Sequence, residues 1–258
     1  MMTDPAMQKR LIQIIRDVSQ GIYSDDIMEL TTDDTPADIR EIAEAVGMMM
    51  VNIEAREFHM EQLTEQIKEN SIKTVTAIAS ALGARDEYTE GHGDRVSAYS
   101  VRLGKRMNLP EKEIEKLRIA GLLHDIGKIG FSDELLSHTE AKPTDAMIQE
   151  IKNHPEWGHN ILTELDFLGD IRDYIYSHHE RLDGNGYPRG LKAEDIPTGA
   201  RILSVADCFD AMTTDRPYQK GMKAEKSYGI LRKMSGSALD PKIVETFITD
   251  VTDLGIIR

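Results

Sequence analysis

Sulfur chemistry is nearly missing from this chain: one cysteine, Cys208, stands in 258 residues. No disulfide can close within the chain, and a thiolate metal cluster is excluded. Aromatic residues are also scarce at 5%, beside 40% hydrophobic and 29% charged residues, a globular balance that leans towards helix-forming types. No uncharged apolar run approaches the roughly 18 residues of a membrane span, and the first ten residues lack the apolar stretch of a secretory signal. Positive charge is in deficit, with 31 basic against 45 acidic side chains and a net charge of −14. That balance disfavours the wrapping of duplex nucleic acid through counterion release. A small anionic substrate stays compatible if bound metal supplies local positive charge. These absences together predict a protein of the reducing cytoplasm, with neither a membrane span nor a duplex nucleic-acid partner.

What the sequence does have is helical periodicity. Met7, Leu11, Ile14 and Val18 recur at four, three and four residues, a stripe that Gly21 should end. A polar connector follows through Thr31, Thr32, Asp33 and Asp34. Thr35 then suits a helix cap, Pro36 the first helical position and Asp38 the positive end of the dipole. Ile39, Ile42, Val46, Met49, Ile53, Met60, Leu63 and Ile67 continue at alternating three and four, interrupted only by Arg56. A pattern held over about four heptads predicts a parallel homodimer through these helices, the other option being packing on the chain's own body. Helix, connector and heptad-bearing helix together resemble a HAMP-like signalling unit, which also implies a signalling protein partner.

Ile72, Val75, Ile78 and Leu82 fall on one helical face before an expected break at Gly83. Residues 113–123, 144–152 and 200–212 suit helices, residues 183–190 a loop punctuated by glycine and proline, and no alternating strand series occurs. The predicted fold class is all-α. Residues 1–70 are expected to form a helical dimerisation or signalling segment, and residues 71–258 a catalytic domain built as a helical bundle.

The eight histidines are unevenly placed. His124-Asp125, His154-Pro155 and His178-His179-Glu180 follow one another at intervals that suit successive helices converging on one site. In Gly121–Gly130, read as Gly-Leu-Leu-His-Asp-Ile-Gly-Lys-Ile-Gly, a continuous helix would place His124 and Lys128 on one face beside Asp125. Imidazole ligates a metal, a neighbouring carboxylate can bridge two, and an ammonium can face a phosphate. Upstream lies His92, in Tyr88–Val96. Downstream, Asp207 sits in an apolar helical stretch where an acid needs a charge partner.

The ordered set His92, His124-Asp125, Lys128, His154, His178-His179, Gly186-Tyr187-Pro188 and Asp207 closely resembles the HD-GYP family of metal-dependent cyclic dinucleotide phosphodiesterases, over about residues 72 to 245. The resemblance implies an HD-type helical core with two divalent transition-metal ions, iron or manganese. One metal would take His92, His124 and Asp207, the other His154, His178 and His179, with Asp125 bridging. It implies hydrolysis of cyclic di-GMP to the linear dinucleotide pGpG, and on to GMP, by a hydroxide shared between the cations. Lys128 would contact a phosphate oxygen or assist the leaving ribose oxygen. Gly186, Tyr187 and Pro188 would shape a substrate-facing lip, and Arg216 and Lys220 would face phosphate. Hydrolysis of another cyclic dinucleotide such as cyclic GMP-AMP, or a catalytically silent nucleotide- or protein-binding module, are the alternatives.

Three departures from the family pattern matter. Gln219 stands where a basic residue is common. Residues 129–143 lack the usual lid sequence. Tyr88 replaces the glutamate of three-metal members, which predicts a two-metal site.

Overall fold

The computed structural model describes residues 5–85, 91–136, 143–215 and 220–253. Tyr88, His138, Arg216 and Gln219 therefore lie outside the described residues. The chain divides into two compact units, residues 1–70 and 71–258. Among the described residues there is no β-strand, only isolated bridges joining Asp183 with Lys192 and Ser235 with Leu239.

In the first unit, α1 (Pro5–Ser19) and the opening turns of α2 (Ala37–Arg85) flank a 3₁₀ turn at Asp25–Leu30. Gly21 follows α1 at φ 79°, the left-handed conformation that stops a helix at low cost. Leu11, Ile14 and Val18 of α1 pack on Ile39, Ala43, Val46 and Met50 of α2, and Ile27 and Leu30 of the turn close this small core. Ile39 and Val46, two members of the expected intermolecular seam, are thus used within the chain. Ile42 and Met49 remain 49% and 45% exposed.

Two details of α2 correct the sequence expectation. The Thr35 hydroxyl lies 3.3 Å from that of Thr32, and helical hydrogen bonding begins with the Arg40 N–H donating to the Pro36 carbonyl at 2.9 Å. The helix also passes through Gly83 to Arg85. One interior glycine costs a helix only about 1 kcal/mol, too little to end it.

The second unit is organised around α8 (Thr198–Thr213), whose sides are nearly all buried. Ile202, Val205 and Phe209 pack with Leu103 of α3 (His92–Arg106), Leu117 of α4 (Glu111–Leu123), and Tyr228 and Phe247 from α9 (Ala224–Met234) and α10 (Pro241–Asp253). Leu203 and Ala206 face a second cluster holding Val96, Ile119, Leu123, Ile126, Ile171 and Ile175. Ile72, Val75 and Ala79 lean on that cluster. Ile78 is 48% exposed, so Ala79 takes the place predicted for Ile78 and the packed face is narrower in side-chain volume.

Two helical expectations change in ways that matter for the histidines. The helix predicted over 144–152 continues as α6 (Asp145–Ile161), through Pro155. The helix bearing His124 ends at Leu123, and a 3₁₀ turn at Ile126–Gly130 follows Asp125, so His124 and Lys128 do not share an α-helical face. The turn is dictated by close contact. A side chain at Gly127 would collide with the His154 carbonyl and the Gly158 nitrogen of α6. The backbone of the 3₁₀ turn is thereby seated directly against the helix that carries His154.

Gly127→Ala is expected to lower stability by about 1–3 kcal/mol or more through overpacking at this contact. A urea unfolding midpoint unchanged from wild type would contradict the close approach.

Candidate metal centre

Three of the converging histidines are aimed by the same device, an otherwise idle backbone carbonyl. The last carbonyls of a helix lack intrahelical donors. At the end of α4 the Gly121 carbonyl accepts from His124 Nδ1–H at 2.9 Å, and at the end of α7 (Asp170–Ser177) the Ile175 carbonyl accepts from His178 Nδ1–H at 2.6 Å. His154 lies within α6, where carbonyls are normally used. Pro155 has no N–H, however, which frees the Ile151 carbonyl to accept from His154 Nδ1–H at 2.7 Å. The pair His154-Pro155 is therefore a local unit: the proline releases the acceptor that its neighbour takes.

A carbonyl only accepts, so each Nδ1 carries the proton and each Nε2 of the neutral ring presents a lone pair. His154 Nε2 and His178 Nε2 face each other at 3.4 Å, and Asp125 Oδ1 is 3.4 Å from His154 Nε2. Two lone pairs and a carboxylate oxygen pointed at one place repel one another unless a cation lies between them. Donors about 2.1 Å from a single first-row ion are separated by about 3.0–3.4 Å, the spacing found here. His154, His178 and His179 form one ligand-competent group, and His92, His124 and Asp125 another.

Asp125 spans the two groups. Its Oδ2 lies 3.5 Å from both His92 Nε2 and His124 Nε2, while Oδ1 faces His154. Asp207, from α8, places Oδ1 3.3 Å from His92 Nε2 and 4.0 Å from His124 Nε2. All seven residues expected from the sequence to hold metal, His92, His124, Asp125, His154, His178, His179 and Asp207, are thus brought together. Lys128 is with them, its Nζ 2.6 Å from Asp125 Oδ2. The ion pair is made across the 3₁₀ turn rather than along a helix face.

Electrostatics follow from burial and these partners. Burial pushes His154 and His178 below the ordinary histidine range and takes His179 down to about 3, so all three rings are neutral at physiological pH. Burial also opposes charge on His92, but its hydrogen bonds to Asp207 and Asp210, with the nearby Asp125 charge, outweigh it and hold the pKa up at about 9. Asp125 and Asp207 remain well below the usual carboxylate range despite burial, Asp125 chiefly through Lys128 and Asp207 through its hydrogen bond with His92. A cation taking His92 Nε2 must displace a proton.

The loop after His179 borders this cluster. Tyr187 stacks on His179 with ring centroids 4.8 Å apart and planes 30° apart, and its N–H donates to the His179 carbonyl at 3.2 Å. Gly186 and Pro188 flank it, half-buried, and the Tyr187–Pro188 bond is cis. Arg181 forks onto Asp183 at 3.0 and 2.6 Å, an ion pair within the loop. Lys220 is exposed on the segment before α9. Arg216 lies outside the described residues. Elsewhere, His59 is exposed, His159 packs on Tyr176 with ring centroids 4.8 Å apart, and burial pushes the Cys208 thiol up to about 12.

Sequence reasoning overlooked two acids. Glu180 is 3% exposed and accepts from the N–H groups of Arg189 at 2.7 Å and Leu191 at 2.9 Å, fastening the far side of the loop. Asp210, three residues beyond Asp207 on α8, reaches His92 Nδ1 at 2.7 Å. The i, i+3 spacing of two acids in an apolar helix was the available signal for Asp210.

The family pattern described as "HD domain" matches residues 53–243. Among curated proteins, a cyclic di-GMP phosphodiesterase of Pseudomonas aeruginosa is 34% identical over 196 residues, covering 75% of this chain and 47% of that protein. A 3'3'-cGAMP-specific phosphodiesterase of Vibrio cholerae is 34% identical over 168 residues, covering 65% of this chain and 36% of that protein. The chain thus spans between about a third and a half of these relatives. A crystal structure of a cyclic GMP-AMP-specific phosphodiesterase from V. cholerae superposes with a TM-score of 0.57 at 23% identity, covering 70% of this chain and 49% of that one, a likeness of fold.

Glu180→Ala leaves two backbone N–H groups without their acceptor and is expected to cost about 1–3 kcal/mol. The thermal midpoint should fall, and Glu180→Gln, which keeps one acceptor oxygen, should fall less. Equal midpoints for wild type and Glu180→Ala would show that the carboxylate does not fasten the loop.

Proposed function

This chain belongs to the HD domain family and is of its HD-GYP type, and on that basis we propose that it is a metal-dependent phosphodiesterase opening cyclic di-GMP to linear pGpG and then GMP. The observation that carries the reading is the placement of Asp125, with one oxygen towards His92 and His124 and the other towards His154. His92, His124 and Asp207 would hold one cation, His154, His178 and His179 a second, and Asp125 both. Imidazole with carboxylate suits iron or manganese. Such ions lower the pKa of water and neutralise phosphate charge.

The chain's own side chains supply the rest. Lys128, beside Asp125, offers an ammonium to a phosphate oxygen or to the departing ribose oxygen. Tyr187, with Gly186 and Pro188, walls one side of the histidine cluster and presents an aromatic face to a nucleobase. Arg216 and Lys220 would contact phosphate from the segment that follows α8. A cytoplasmic reaction is part of this reading, and the single cysteine supports it.

The catalytic role falls to residues 71–258, and residues 1–70 serve dimerisation and signal input, from a partner protein acting on the helices. Ile42, Met49, Met60, Leu63 and Ile67 of α2 follow the heptad and are 49%, 45%, 60%, 38% and 65% exposed. A second copy in parallel would cover them.

Hydrolysis of 3'3'-cGAMP is a second reading, favoured by the equal identity, 34%, to relatives named for either substrate.

Anaerobic chain loaded separately with iron and manganese should convert cyclic di-GMP to pGpG, followed by chromatography, and His124→Ala/Asp125→Ala should lose at least about 10³-fold in rate. Competition between the two cyclic dinucleotides separates the readings, and no turnover of either by fully loaded chain would leave a binding module. Ile42→Glu/Met49→Glu should shift the dimer to monomer in light scattering. A persisting dimer would remove this face as its cause.

A further inference from the structure

His92 departs from the pattern of the other aimed histidines. It is the first residue of α3, so no preceding turn of that helix offers it a carbonyl three residues back. Its Nδ1 turns instead to a carboxylate, Asp210 Oδ2, at 2.7 Å. Asp210 is 1% exposed, and a charge so deeply buried needs fixed partners. Arg95, one turn along α3 from His92, supplies them: Nε to Oδ1 at 2.7 Å and Nη2 to Oδ2 at 3.0 Å. One turn of α8 thus presents two acids to the two nitrogens of one imidazole, Asp207 towards Nε2 and Asp210 towards Nδ1.

We propose that Asp210, held by Arg95, is a positioning residue that orients His92 and strengthens its Nε2 as a ligand for the cation shared with His124 and Asp207. The role rests on the metal reading above. Asp210 faces away from the cation and acts through the ring. An anionic acceptor on the distal N–H fixes the tautomer and makes the ring more basic, an effect that a neutral carbonyl supplies less strongly. The half-site of His92, His124 and Asp207 depends on this carboxylate, whereas the half-site of His154, His178 and His179 is carried by carbonyls at His154 and His178.

The experiment is chelator competition with manganese on the full chain. Wild type should take up two equivalents. Asp210→Asn, which keeps the size and an acceptor oxygen but removes the charge, should bind one equivalent as wild type does and the other about 10–100-fold more weakly. His92→Ala should lose that equivalent outright. Circular dichroism of the metal-free variants confirms that they are folded. Wild-type affinity for both equivalents in Asp210→Asn overturns the proposal, and so does equal weakening of both, which would mark a general effect on the fold. A second measurement needs no variant: in histidine-labelled wild-type protein loaded with zinc, one ring N–H proton should resonate downfield of those bonded to carbonyls. The absence of that separate resonance also overturns it. A wild type that takes up no cation defeats the metal reading itself, which separates that failure from this one.

Discussion

The structure turns on hydrogen bonds made by the outward nitrogens of the histidines. An imidazole free to rotate or change tautomer offers either a donor or a lone pair, and a cluster of such rings would satisfy itself. Here the outer nitrogen of each of three rings is tied to an acceptor that cannot donate, so the inner nitrogen has to be a lone pair. The acceptors come at little cost because they are carbonyls that helix geometry had already left without partners. Where the helices stop, and where Pro155 lies within α6, is therefore part of the site's chemistry.

Placement of those helix ends is the work of the core. Hydrophobic clusters on opposite sides of α8 fix the helices that carry His92, His124 and His178. The seat of Gly127 against α6 brings His154 to the same place. Burying Asp125, Asp207 and Asp210 in that setting would be prohibitive without Lys128, His92 and Arg95 beside them.

Much of this was legible in the sequence because ligand chemistry restricts residue types. The seven candidate ligands and Lys128 converge as read, and the class is all-α as read. What escaped was geometry that depends on the backbone. A His-Asp-x-x-Lys run reads as one helix face, and only the contact at Gly127 shows why the chain turns there instead. The apolar face of α2 was legible as a stripe, but the diversion of Ile39 and Val46 into a core with α1 depends on how a connector folds back. Asp210 was hidden by resembling any acid near the end of a helix, since its role becomes apparent only when α3 and α8 are packed together.

The use of helix ends as ligand mounts has a consequence for how the molecule opens. Terminal turns are ordinarily the first part of a helix to fray, because few hydrogen bonds hold them. In this fold the end of α4, the end of α7 and the start of α3 carry His124, His178 and His92. Cations held there, one by His92 and His124 and another by His178, would convert the most labile turns into the last to exchange their amide protons with solvent. Loss of those cations would then be felt first as loosened helix termini, long before any hydrophobic contact was broken.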